Sequence, residues 1–284
     1  MPNRCCAAGA SRAAIYSPDM PRYRLIIEYD GTPFVGWQRQ DNGPSVQQAI
    51  EEAFGRFTGE SVGTVAAGRT DAGVHALGQV IHAELARDWD PFRVSEALNY
   101  HLKPDPIAVL DCRIAEAGFH ARFSAIGRRY RYRIANRRAP LTVDRMRAWE
   151  VSRPLDHEAM HEAAQYLVGK HDFTSFRASL CQARSPLKTL SALTVSRLGE
   201  ELEIAARAPS FLHHQVRNMV GTLVQVGLGR MKPDALRAIL AARNRSAAGE
   251  TAPAHGLYLV AVEYPPAGLL LAQAGGSEDS EADE

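Results

Sequence analysis

Cysteine is scarce in this chain, with four in 284 residues. Cys5 and Cys6 are adjacent, Cys112 and Cys181 stand alone, and no C-x-x-C pair occurs, so a disulfide scaffold is excluded and no zinc-ligand spacing is present. A reducing, cytoplasmic setting is the expectation. No apolar run reaches the roughly eighteen residues of a spanning helix, and the N-terminus lacks a signal-peptide hydrophobic core, so no membrane segment is expected. A G-x-x-x-x-G-K-[ST] phosphate loop is missing too. Net charge is almost absent, because 33 Lys and Arg face 32 Asp and Glu. The average hides an uneven distribution. Residues 122–138 carry Arg122, Arg128, Arg129, Arg131, Arg133, Arg137 and Arg138 with no acid, whereas 267–284 carry Glu278, Asp279, Glu281, Asp283 and Glu284 with no base. Local fields of this kind matter more than the total when the partner is a polyanion.

What is there is the periodicity of a globular α+β chain. Residues 1–21 have no sustained period and read as a disordered leader, or as an extension upstream of Met20. Residues 266–284 read as an acidic disordered tail. Between them an N-terminal α+β domain is expected over 22–140 and a C-terminal one over 141–265. Strands are expected at 23–29, 62–67, 79–85, 107–112, 127–134, 189–197, 201–207 and 255–264. Ser45, with Gln48 three positions later, predicts a capping box opening a helix whose apolar stripe is Val46, Ala49, Ile50, Ala53, Phe54 and Phe57. Further helices are expected over 91–102, over 156–168, and from Ser210 through "FLHHQVRNMVGTLVQVG". In "GRRYRYRI", Tyr130, Tyr132 and Ile134 alternate with Arg129, Arg131 and Arg133, giving one face to pack or stack and one to meet phosphates.

The stretch "GRTDAGVHA" (68–76) is the most unusual. It delivers one carboxylate, Asp71, on a short glycine-flanked loop between two strands. Two readings stand: an Asx-turn whose side chain caps backbone N–H groups, or a nucleophile or base acting on an anomeric centre, work that a single ionised carboxylate does without a cofactor. His75 and His82 lie nearby without a compelling metal-ligand spacing, and no metal is expected. Arg69 is either a surface salt bridge or a guanidinium that holds a phosphate or fills the place of a displaced base. Tyr130 is a core residue or a stacking ring. Arg217 lies beside the apolar run of Val216, Met219, Val220, Leu223 and Val226, so it either reaches solvent or pairs with a carboxylate, for which Asp71 is the candidate. His213 and His214, adjacent on the expected helix, point apart and do not form a ligand pair.

Six segments in order carry a resemblance: "EYDGTPFVGWQRQ" (28–40), "GRTDAGVHALGQV" (68–80), "FHARFSAIGRRYRYRI" (119–134), "GKHDFTSFRA" (169–178), "FLHHQVRNMVG" (211–221) and "APAHGLYL" (252–259). Through them the chain resembles the TruA family of tRNA pseudouridine synthases over nearly all of residues 22–265. The resemblance implies the pseudouridine synthase fold: two similar halves sharing a mainly antiparallel sheet, helices packed on it, and a central basic cleft. It implies a cofactor-free homodimer that isomerises uridine to pseudouridine at positions 38, 39 and 40 of the tRNA anticodon stem-loop. The catalytic aspartate falls on Asp71, the stacking tyrosine on Tyr130, the arginine paired with the aspartate on Arg217, and the base-displacing arginine on Arg69. Arg129, Arg131, His75 and Arg177 are the further expected substrate contacts. Departures are confined mainly to the leader, the tail and a slightly long "LKPDPIAV" at 102–109.

Overall fold

Alternate apolar residues make Arg22–Tyr29 a strand, β1, in the computed structural model of the chain, with Tyr23, Leu25, Ile27 and Tyr29 buried on one face. Residues 20–179 and 181–266 are described. Apart from residues 20, 21 and 266, the expected leader and tail lie outside them.

Helix α1 (Val46–Thr58) buries Val46, Ile50, Ala53 and Phe54, and the Ser45 Oγ accepts from the Gln48 amide at 3.2 Å. Only this half of the expected capping box forms. The Gln48 side chain turns forward and donates to Glu52 at 2.9 Å, an i,i+4 pair that wins over the backward reach. Then come β2 (Thr64–Ala66), β3 (His75–Glu84), α2 (Pro91–His101), β4 (Ile107–Ile114), β5 (Gly127–Ala135), β6 (Trp149–Glu150) and α3 (His157–Gln165). The remainder is β7 (Gly169–Asp172), β8 (Leu187–Leu190), β9 (Ala192–Leu198), β10 (Glu201–Ala208), α4 (Gln215–Gly227), α5 (Ala235–Ala242) and β11 (Leu257–Glu263).

One sheet runs β4-β1-β3-β11-β5-β10-β9, with β2 added on β3 and β6 on β5. Its pairings are antiparallel except β11 on β3 and β6 on β5. The expected meander is β9 and β10. The residues just before it, β8, leave the sheet and pair with β7 in a separate ribbon. β11, last in sequence, is inserted at the middle, where Leu257 joins the C-terminal core (Tyr132, Ile134, Met160, Ile204, Met219, Leu223) and Leu259 the N-terminal one (Leu25, Ile27, Ile50, Phe54, Leu98). The architecture is therefore the expected α+β mixture, with helices packed on a shared sheet.

The C-terminal half departs from expectation at α4, α5 and the short strands β6 and β7. α4 starts at Gln215 and not at Ser210, because the Gln215 side chain folds back to accept from the Leu212 amide at 2.8 Å while its own amide donates to the Leu212 carbonyl at 3.0 Å. The residues before it form a turn ending at His214, which holds a left-handed backbone with φ 62°. The short α5 had no sequence assignment.

Candidate active site

β2 and β3 leave the sheet at one end, and the chain between them is fixed from several sides. The Trp37 amide donates to the Thr70 carbonyl at 3.0 Å, the Val74 amide to the Asp71 carbonyl at 3.1 Å, and the Gln79 side chain to the Gly68 carbonyl at 2.7 Å. The Tyr29 hydroxyl and Thr70 Oγ1 are 2.8 Å apart inside the protein. The segment after β1 wraps this loop closely. A Cβ at Gly31 would lie 2.0 Å from the Val74 carbonyl oxygen, and Gly36, at φ 118°, would place one 2.9 Å from that of Thr70. Glycine is needed at both because two backbones touch there. The motifs at 28–40 and 68–80 are one structural unit.

His75 belongs to this scaffold. It is 3% exposed and stacks on Tyr258 at 4.7 Å. Nδ1 lies 3.1 Å from both the Gly31 amide and Asp30 Oδ1, and Nε2 lies 3.1 Å from the carbonyls of both Met146 and His255. Burial pulls its pKa below the ordinary value, outweighing the nearby Asp30 carboxylate. So enclosed, His75 presents almost no surface in this chain and packs as part of the scaffold behind the loop.

Asp71 projects from the loop toward α4. Arg217 Nη1 is 3.1 Å from Oδ2, so the ion pair expected from sequence is formed, and Arg217 Nε donates to the Ala252 carbonyl at 2.8 Å. His213 Nε2 lies 3.2 Å from Oδ1 and His214 Nε2 3.3 Å from Oδ2. This convergence corrects the reading of the two histidines as pointing apart. That reading assumed helical geometry, whereas both precede α4, in a turn whose left-handed last residue swings the rings together, 4.0 Å between centroids. Burial works to raise the Asp71 pKa, but the His213 hydrogen bond and the charges around it prevail and hold the acid below the usual carboxylate range. Hydrogen bonding to Asp71 raises the His213 pKa, while burial lowers that of His214. The His213 hydrogen bond and the charges of His214, His213 and Arg217 together favour the ionised acid.

The ligand-type atoms of Asp71, His213 and His214 lie within 4.8 Å of one another, as a metal site requires. Arg217 already occupies the same carboxylate, however, and a dication would sit against that guanidinium. The charges suit an ionised acid better than a metal.

Tyr130, on β5, is packed between the two cores with its ring edge-on to Phe211 at 5.2 Å. Burial first, then Tyr29 and the Asp71 charge, push its hydroxyl pKa well up. The hydroxyl therefore stays protonated. Arg69 is exposed and pairs with no carboxylate among the described residues, so the surface salt bridge considered for it is not formed. Arg177 donates to the Cys181 carbonyl at 2.5 Å, and the next residue, Ala178, donates its amide to the His213 carbonyl at 3.0 Å, bracing the turn from outside.

The arginine strip is dispersed by the fold. Arg133 makes a two-pronged pair with Glu201 at 2.7 and 2.9 Å, Arg131 lies 3.7 Å from Glu203 and over the Tyr258 ring at 5.4 Å, and Arg129 lies 3.4 Å from Glu263. The expected all-basic face is an alternation of arginines with acids from β10 and β11. Arg128, not singled out in the sequence, is a clamp: Nη1 donates to the carbonyls of Ala125 and Pro209, and Nη2 to those of Ala67 and Arg122, at 2.6–3.2 Å. It ties the stem of the Asp71 loop to the approach to His213.

A profile of the tRNA pseudouridine synthase family matches residues 25–124 and 163–265, which include Asp71 and Arg217 and leave Tyr130 in the interval between. Proteins named tRNA pseudouridine synthase A are similar over nearly their whole length. That of Rhodospirillum centenum is 64% identical over 245 residues, 86% of this chain and 100% of the relative. That of Paramagnetospirillum magneticum is 59% identical over 88% of this chain and 97% of its own. That of Maricaulis maris is 57% identical over 87% and 99%. With the matched segments supplying both partners of the central ion pair, the chain belongs to the tRNA pseudouridine synthase family.

Proposed function

We propose that Asp71 is the group that acts on the target ribose when this enzyme isomerises uridine to pseudouridine, and that its targets are positions 38, 39 and 40 of the tRNA anticodon stem-loop. The observation that carries this reading is the partly buried Asp71 carboxylate bound by Arg217, His213 and His214. Attack on C1′ and removal of the C2′ proton both need the ionised acid, and the surrounding cation and hydrogen bonds favour that form. The reaction detaches uracil from C1′, turns it and rejoins it through C5, so composition is conserved and no oxidant or reductant is consumed.

The uridine must leave its stack first, at a cost of a few kcal/mol. Arg69, exposed at the rim, is suited to fill the vacated place. Tyr130 is suited to hold the detached ring by its face. Burial keeps its hydroxyl protonated in the free protein, and stacking is the role assigned to it. The resemblance also supports a cytoplasmic homodimer whose two α+β halves, 22–140 and 141–265, flank the RNA. Among the described residues no helix is long and apolar enough to cross a membrane.

The test incubates the protein and its Asp71→Asn variant with unmodified tRNA and maps pseudouridine. Product at 38–40 with the parent protein, none with the variant, and RNA affinity kept within about tenfold is the expected outcome. Turnover by Asp71→Asn removes the assignment. Release of free uracil and an abasic ribose would make the chemistry hydrolysis.

A further inference from the structure

The turn after β4 holds an aromatic ring in solvent beside the catalytic loop. The His120 amide donates to Ser124 Oγ at 3.0 Å and the Ser124 amide to the His120 carbonyl at 2.9 Å. The amides of Arg122 and Phe123 both donate to His120 Nδ1 at 3.2 Å. Burial holds the His120 pKa below its ordinary value, consistent with a neutral, accepting ring. The turn is thus built around one imidazole, and at its tip Phe123 is 72% exposed. Its ring stacks on His120 at 4.4 Å with 28° between planes, and the Arg122 guanidinium lies 5.6 Å from its centroid.

A single exposed apolar side chain is ordinary; the location of Phe123 is what distinguishes it. One nitrogen of Arg128 bridges the carbonyls of Arg122 and Ala67, and the other bridges those of Ala125 and Pro209. Ala67 is two residues before Arg69 and four before Asp71, and Pro209 is four before His213. The Phe123 turn, the Asp71 loop and the histidine turn therefore emerge together at one end of neighbouring strands, pinned by the same guanidinium. A flat ring backed by an imidazole and flanked by an arginine has the make-up of a stacking platform for a nucleobase. Because its turn is already ordered, little freedom is lost when a base lands on it.

We infer that Phe123 stacks against a nucleobase of the substrate RNA flanking the uridine at Asp71. The inference rests on the tRNA-modifying reading of that site and adds a contact outside the reacting atoms. Its ligand is an unpaired or splayed base, recognised by its face and not by its hydrogen-bonding edge.

The test compares steady-state turnover of unmodified transcribed tRNA by the parent protein, Phe123→Ala, Phe123→Leu and Phe123→Trp, with sedimentation of each at one concentration. Stacking predicts KM raised about tenfold for Phe123→Ala and Phe123→Leu with kcat within about twofold, and near-parental KM for Phe123→Trp. Unchanged KM in Phe123→Ala overturns the inference, as does full recovery by Phe123→Leu, which would make the contact merely apolar. A change in sedimenting mass in Phe123→Ala also overturns it, because the ring would then serve a protein interface. A parent protein that forms no pseudouridine would instead sink the functional reading, so the two failures are distinguishable.

Discussion

Arg217 and the arginines of β5 were conspicuous in the sequence for opposite reasons, and the fold treats them oppositely. Arg217 is a lone charge on an apolar helix, and its side chain, 14% exposed, finds a carboxylate 146 positions away in sequence. The β5 arginines are a dense run, and their charge is largely answered by Glu201, Glu203 and Glu263 on the flanking strands. A charge that cannot be left unpaired in an apolar setting predicts a specific partner. A run of like charges on a strand predicts little, because the surface it makes is decided by the residues placed across from it.

The largest effect in this comparison is expected at Arg217. In Arg217→Met the carboxylate keeps its histidines but loses the guanidinium, and kcat should fall on the order of a hundredfold or more. The pH profile separates the contributions. The folded pKa of Asp71 is below its unfolded value, so the stability and the active ionised form are present above the ordinary carboxylate pKa and are lost as pH falls through the depressed one. Removing Arg217 should move the acid limb of kcat/KM to higher pH. An unmoved limb would show that the histidines alone keep Asp71 ionised. His213 has the reverse sign. Its raised pKa gives stability that is complete below about 6.5 and lost as pH rises through the folded value, so His213→Gln should flatten the decline on that side.

Arg128 comes next, with stability as the readout. Replacing it by alanine removes its hydrogen bonds to four carbonyls, two of them partly buried, and should lower the unfolding free energy by roughly 1–3 kcal/mol. Amide exchange should quicken first in 120–126 and 209–214. A lysine cannot reach four acceptors at once, so Arg128→Lys should recover little. A parental melting curve for Arg128→Ala would remove the clamp from the account.

How much was legible follows the same division. The strand alternation at 22–29 and 127–135, the α1 stripe and the Asp71–Arg217 pair could be read because each is fixed by a local period or by the penalty on an unpaired buried charge. The histidine turn could not. Its geometry depends on His214 adopting a left-handed backbone, and on Gln215 capping backward, neither of which has a residue pattern that demands it. Helical extrapolation from Val216 back to Ser210 therefore separated two rings that the fold joins. The enclosure of His75 is equally illegible in the local sequence, because it is created by Met146 and His255, residues remote in sequence. The resemblance placed Asp71 and Tyr130 as functional candidates, but the Glu rows that neutralise β5 lie on strands whose pairing with it had to be seen.

The smallest predicted effect sharpens the comparison within β5 itself. Arg129 is 54% exposed and held by one long contact to Glu263, which Arg207 binds more closely at 2.7 Å, so its guanidinium is free to exchange that acid for a phosphate. Arg131 is 34% exposed, lies over Tyr258 and has its Nε buried without a partner, which marks it as a packing residue. In tRNA binding measured against salt, Arg129→Ala should reduce the slope of log affinity on log salt by about 0.7–0.9, the release of one phosphate contact, whereas Arg131→Ala should leave the slope unchanged. Equal losses in both variants would restore the strip as a single phosphate-binding face. No loss in either would mean that the RNA passes elsewhere, and that the glutamates of β10 and β11 neutralise the whole face.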